Sequence, residues 1–176
     1  MWELTDMEKK EIEVKAKQLL DTYGMNSDCS IDIVLLARNM GFSVLNANLE
    51  PDEDGFIIVN ENIKKLPNVG TNKVIAVNAR RDYEDKRFII AHEIGHYVFR
   101  EEKVVFAHRE NSHGRSEREN DLDYFAACLL MPEEAFKKAF EERKRTSLSI
   151  LVDYLAAKFE VPYISALRRM EEIGLV

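Results

Sequence analysis

Apolar positions along this chain keep a helical period in some stretches and a strand period in others, and the changes of period mark its elements. Over residues 5–21, Met7, Ile12, Val14, Ala16, Leu19 and Leu20 stand among charged neighbours, which predicts a surface helix ending near Gly24. Ser30 is placed to cap a second helix over 31–40 that Gly41 stops. Phe42–Asn46 reads as a strand and Pro51–Gly55 as a turn. The acidic residues of that turn do not make a calcium loop, because Phe56 stands where an oxygen ligand is needed. The runs GFIIVN (55–60) and KVIAVN (73–78) are β-branched and bounded by turn residues, so each predicts a strand.

Everything beyond residue 82 reads as helical. Asp82 and Asp85 form a candidate cap pair for a helix reaching about Arg100, and a polar loop follows over 107–115. Ser116–Met131 predicts the next helix; Pro132 ends it and can open another over 132–145. Two further helical patterns, 147–159 and 162–173, are separated by Val161-Pro162. Helices, a small three-strand sheet and more helices give an α+β chain. Its 176 residues suit one domain over 1–176, with N-terminal helices and first strand in 1–50, a central part over 55–132 and a helical extension over 133–176.

Composition narrows the function classes. The net charge of −7 disfavours a nucleic-acid coat or a polybasic membrane anchor. Cys29 and Cys128 form no CxxC pair, which excludes a disulfide scaffold and a thiolate zinc finger. The first residues run straight into charges without a leader pattern, and the apolar runs fall short of the ~20 residues that span a bilayer. A cytoplasmic location is the expectation.

Candidate chemistry concentrates in Phe88–Tyr97 (FIIAHEIGHY). On a helix His92 and His96 stand one turn apart on one face, so both imidazoles can meet one metal ion. Glu93 falls beside that ion, placed to take a proton from water and not to ligate. Ile89, Ile90 and Ile94 are expected to anchor the helix in the core. Gly95, a poor helix former, suggests that another backbone passes close by.

A third ligand is needed. Phe99 and Glu102 occupy the positions where a metzincin would place its glycine and third histidine, so that class is excluded. On the next predicted helix Glu119 and Asp123 are spaced i, i+4. The pair suits Glu119 as ligand, with Asp123 accepting a hydrogen bond from a ligating histidine. Ser116-Glu117-Arg118-Glu119 is equally a capping box, which by itself explains a glutamate there.

The paired motifs RFIIAHEIGH (87–96) and ENDLDYFAACLLMP (119–132) resemble the ImmA/IrrE-type metallopeptidases. In that family the HExxH helix is followed by a helix of the form E-x-x-A-[ND]-x-F-A-x-x-L-L-x-P. Glu119 falls on the family's third metal ligand, Asp123 on its Asn/Asp position, and Phe125, Ala126, Leu129, Leu130 and Pro132 on the rest. Leu122 departs from the usual alanine. The resemblance is specific over about 87–132, and looser in VIAVN and over 31–45. It implies a thermolysin-like, gluzincin-type zincin core, with the small sheet packed on the two motif helices, in a catalytic part over 55–132. It also implies action on a helix-turn-helix repressor, whose cleavage or inactivation derepresses phage, mobile-element or stress-response genes.

Two neutral imidazoles and one carboxylate with an open position suit one Zn2+ per chain. An edge strand, GFIIVN or KVIAVN, is the candidate to hold an extended substrate. His113, Arg115 and Tyr124 lie near the site in sequence as candidate oxyanion or substrate contacts, although loop exposure and helix packing explain them as well. His108 reads as surface, and Cys128 as a small buried hydrophobe. Residues 147–174 can be drawn as a helix-turn-helix using Arg168 and Arg169, but Glu171 and Glu172 cancel those charges, so packing or partner docking is favoured over direct nucleic-acid binding. The competing functional reading is a module of the same fold that captures a regulatory or toxin partner without cutting it.

Overall fold

A computed structural model describes residues 4–26, 28–60, 69–99, 107–108 and 117–176. Helix α1 (Asp6–Tyr23) starts at a capping box in which Thr5 and Glu8 exchange hydrogen bonds, and it ends at Gly24 with φ of 64°. Helix α2 (Ile33–Asn39) is capped by Asp32, whose carboxylate accepts from the Leu35 amide. The expected cap, Ser30, is taken elsewhere, since its hydroxyl donates to Glu160 and accepts from Arg87.

Strands β1 (Ser43–Ala47), β2 (Gly55–Val59) and β3 (Lys73–Asn78) fall where the β-branched runs predict them. A two-residue strand, β4 (Ala107–His108), adds to them, so the sheet has four strands among the described residues, in the order β1-β3-β2-β4. This corrects both the three-strand expectation and the reading of 107–115 as loop alone. Two residues are too few to leave a periodic signature, and only the pairing of Phe56 with His108 and Ile57 with Ala107 defines the strand. Strand β1 runs parallel to β3, and β2 antiparallel to both β3 and β4. KVIAVN is therefore a central strand and GFIIVN is flanked on both sides, so neither is the free edge expected to receive a substrate.

Helix α3 (Tyr83–Val98) packs on β2, β3 and α2 and against α4 (Glu117–Leu130), which in turn contacts α1. Asp82 is its N-cap, but the side chain makes no capping hydrogen bond, contrary to the expected Asp82–Asp85 pair. Residues 89–95 are buried without a break, as are 124–131 of the following helix and its end. A helix buried on every side carries little amphipathic signal, and these two hold the centre of the molecule. At Gly55 a Cβ would lie 2.7 Å from the Ala76 carbonyl oxygen and 2.7 Å from Ile89, so this glycine lets β2, β3 and α3 approach. Helices α5 (Glu133–Arg143), α6 (Leu148–Phe159) and α7 (Tyr163–Glu172) complete the chain. One cluster of buried apolar side chains extends from Ile12 to Met170. Among the described residues no helix is long and apolar enough to cross a membrane.

Candidate metal centre

Helix α3 delivers His92 and Glu93 to the interior, each with only 1% of its surface exposed. Its apolar neighbours Ile89, Ile90 and Ile94 anchor it, as expected from their spacing. Gly95 faces α4, where a Cβ would sit 3.0 Å from Leu122 and 3.1 Å from Phe125. What passes close is therefore a pair of side chains and not a backbone. Leu122, the residue that departs from the family pattern, is fully buried at this contact. The glycine makes room for it.

Helix α4 brings Glu119 to the two histidines. His92 Nε2 lies 3.2 Å from one Glu119 oxygen, His96 Nε2 lies 3.9 Å from the other, and the two rings are 5.1 Å apart. Among the described residues, His92, His96 and Glu119 are the one group whose donor atoms all lie within 4.8 Å of each other and could share an ion. Ligands of a tetrahedral zinc at ~2.0–2.1 Å stand about 3.3 Å apart, so these atoms have the separation and the chemistry to hold one. Behind them Asp123 Oδ1 lies 2.9 Å from His92 Nδ1. With Nδ1–H donating to that carboxylate, the Nε2 lone pair faces Glu119 and the shared position.

Electrostatics say the same. Burial pulls the His92 pKa down, but the hydrogen bonds to Asp123 and Glu119 and the charge of Glu93 more than offset it, raising it to about 9. The Glu119 carboxyl is held below its ordinary value by His92. Three carboxylates converge here and favour positive charge at the imidazole end. A proton on His92 supplies one unit; a divalent ion would supply two.

Of the other residues singled out in the sequence, Tyr124 does not join the cluster. Its hydroxyl donates to Glu13 of α1 at 2.9 Å and its ring packs beneath Arg169, so it serves helix packing and not an oxyanion. Burial pushes the Cys128 thiol up to about 12, in keeping with a small buried hydrophobe. His113, Arg115 and Ser116 lie outside the described residues, as does the side chain of His108. Arg169 has no exposed surface: it donates to the Met131 carbonyl at 3.2 Å and pairs with Glu13 at 3.0 Å and Glu172 at 3.8 Å. A guanidinium held this way cannot reach DNA, which removes a main support of the helix-turn-helix reading.

Sequence reasoning gave no role to Arg87, five residues ahead of His92. Its guanidinium donates to Glu160 O at 2.9 Å, Ser30 Oγ at 2.9 Å and Ile31 O at 2.8 Å, tying α3 to the segments before α2 and after α6. Its sequence signal is an arginine standing directly before the dry run Phe-Ile-Ile-Ala.

The family model described as the IrrE N-terminal-like domain, a peptidase family, matches residues 58–171, more than half of the chain. The chain belongs to this family. The match contains both motif helices of this IrrE-like domain and runs on through most of α7. A solved structure of a Mycobacterium tuberculosis transcriptional regulator is similar to it with a TM-score of 0.59 and 18% identity, over 92% of this chain and 46% of that one. At that identity the likeness concerns the fold, and the chain spans just under half of the regulator's length. No curated protein matches the chain.

Proposed function

We propose that the chain is a zinc-dependent endopeptidase of the cytoplasm, with a gluzincin-type core, that acts on a regulatory protein. A helix-turn-helix repressor whose loss switches genes on is the preferred substrate. The observation that carries this reading is the convergence of His92, His96 and Glu119, with buried Glu93 beside them and Asp123 behind His92. His92, His96 and Glu119 would hold one Zn2+, leaving a position open to solvent or substrate. When bound, the ion lowers the pKa of water towards ~7 and polarises a peptide carbonyl. Glu93 accepts the proton of the attacking water and passes it to the leaving amine. Asp123 keeps His92 in the tautomer that presents Nε2, and the burial of His92 and Glu93 keeps bulk water from competing for the proton.

The rival reading, capture without cutting, leaves Glu93 without a task, because a pure binder needs no base beside the metal. The test is incubation of the metal-loaded chain with its candidate repressor, with and without chelator, beside Glu93→Gln. Cleavage is expected only from the unmodified, metal-loaded protein. Glu93→Gln should keep its metal and lose turnover, and normal turnover in that variant would sink the assignment.

A further inference from the structure

Two depressions meet at Asp85 and Pro162. The smaller, about 360 Å³, has a floor that includes Ala157, Val161, Pro162 and Tyr163, from the end of α6 to the start of α7. Its rim is Asp82, Glu84 and Asp85 of the first turn of α3, and no basic side chain lines it among the described residues. The larger, about 820 Å³, continues past Phe88 and Ile89 to Asn120 and Asp123, which follow Glu119 on α4, and Lys9, Arg81 and Arg168 line it as well.

The three rim carboxylates stand at the N-terminus of α3, where the helix dipole favours them, but no ion pair fixes them among the described residues. Asp82 makes no capping bond. They burden one another: burial raises the Asp85 pKa first, then the charge of Asp82, with Asp54 and Glu84 adding to it against Arg81. Apolar surface is also left open beside them, since Tyr83, Tyr163 and Ile164 are 58%, 43% and 53% exposed. An apolar floor under a rim of three carboxylates, offset in part at Asp85 by Arg81, is complementary to a segment with one apolar and one cationic face, and disfavours an anionic nucleic acid or lipid surface.

We propose that this groove docks a basic amphipathic segment of the partner protein, its apolar face on Ala157, Pro162 and Tyr163 and its lysines or arginines against Asp82, Glu84 and Asp85. From there the larger depression leads to Asp123, which stands behind His92. The purpose of the docking rests on the peptidase reading, whereas the binding does not and is measured without turnover.

The probe is a fluorescein-labelled amphipathic peptide of leucine and lysine, followed by anisotropy on the full chain carrying Glu93→Gln. A leucine–glutamate peptide serves as its counterpart. The basic peptide should bind and the acidic one should not. Asp82→Asn with Glu84→Gln should weaken binding roughly tenfold. Ala157→Trp, which fills the floor without altering a charge, should abolish it. Glu134→Gln with Glu141→Gln removes the same charge from α5 and should change nothing. Unaltered binding in the Asp82/Glu84 variant, an equal loss in the α5 variant, or equal binding of both peptides would overturn the proposal. A chain that binds the basic peptide yet cuts no partner would instead refute the peptidase reading and leave the groove standing.

Discussion

Replacing Arg169 with methionine should destabilise the protein by about 3 kcal/mol, with a pH dependence that identifies the cause. The guanidinium is completely buried and reaches three acceptors on three elements: Glu13 on α1 at 3.0 Å, the Met131 carbonyl after α4 at 3.2 Å and Glu172 on α7 at 3.8 Å. Methionine keeps much of the packing volume, so the change isolates the charge. Removing one partner of a buried pair costs roughly 3–5 kcal/mol, because the other charge stays in a poorly solvated place. Glu13 and Glu172 keep 22% and 27% of their side-chain surface exposed, so water recovers part of that cost and the lower end applies. In a chain of this length the loss corresponds to a fall in Tm of roughly 6–12 °C. Glu172 also sets the direction with pH. Burial already raises its pKa, against the pull of Arg169, Lys9 and Arg168. A carboxyl raised in the folded state contributes stability that is full below its unfolded pKa and is lost as pH rises through its folded one. Deleting Arg169 raises that folded pKa further. The deficit should therefore be largest at neutral pH and narrow towards acid, as read by urea denaturation of both proteins across that range. A deficit under about 0.5 kcal/mol, or one that grows towards acid, would refute the reasoning.

The remaining predictions concern the candidate metal centre and the sheet. Glu119→Ala should lower bound zinc measured by elemental analysis, and an unchanged stoichiometry would return Glu119 to a capping role. Asp123→Ala removes the acceptor 2.9 Å from His92 Nδ1 and should weaken metal binding about 10–100-fold in competition with a chromogenic chelator. Equal affinity would mean that the contact does not orient the ring. Gly55→Ala places a methyl 2.7 Å from a backbone oxygen of β3 and should cost about 1–3 kcal/mol in thermal unfolding, since backbone cannot turn aside as a side chain can. A variant as stable as the parent would show that β2 and β3 can separate freely.

The two motif helices were legible because their chemistry is local. His92 and His96 share a face whatever surrounds the helix, and Glu119 and Asp123 keep their i, i+4 spacing likewise. Asp123 was read as a partner for a ligating histidine, and it stands at His92 Nδ1. The polar residues that hold helices to one another were not legible. Ser30 looked like a cap and is instead a contact of Arg87 and Glu160, while Tyr124 looked like a site residue and is a partner of Glu13. In each case the partner lies far along the chain, and no period or spacing carries that information.

The sequence by itself determined the helices and the three longer strands, the placing of two imidazoles and a carboxylate on one helix, and a second helix carrying a further pair of carboxylates. These follow from 3.6-residue geometry and side-chain chemistry, which neighbours do not alter. The tertiary structure alone decided that Glu119 meets both histidines, that Leu122 fills the space left by Gly95, and that β4 closes one side of the sheet. It also decided that Arg169 is an internal cation and that an acidic groove opens between α3 and α7. All of these depend on which surfaces are buried together, and burial sets the cost of a charge and hence its use.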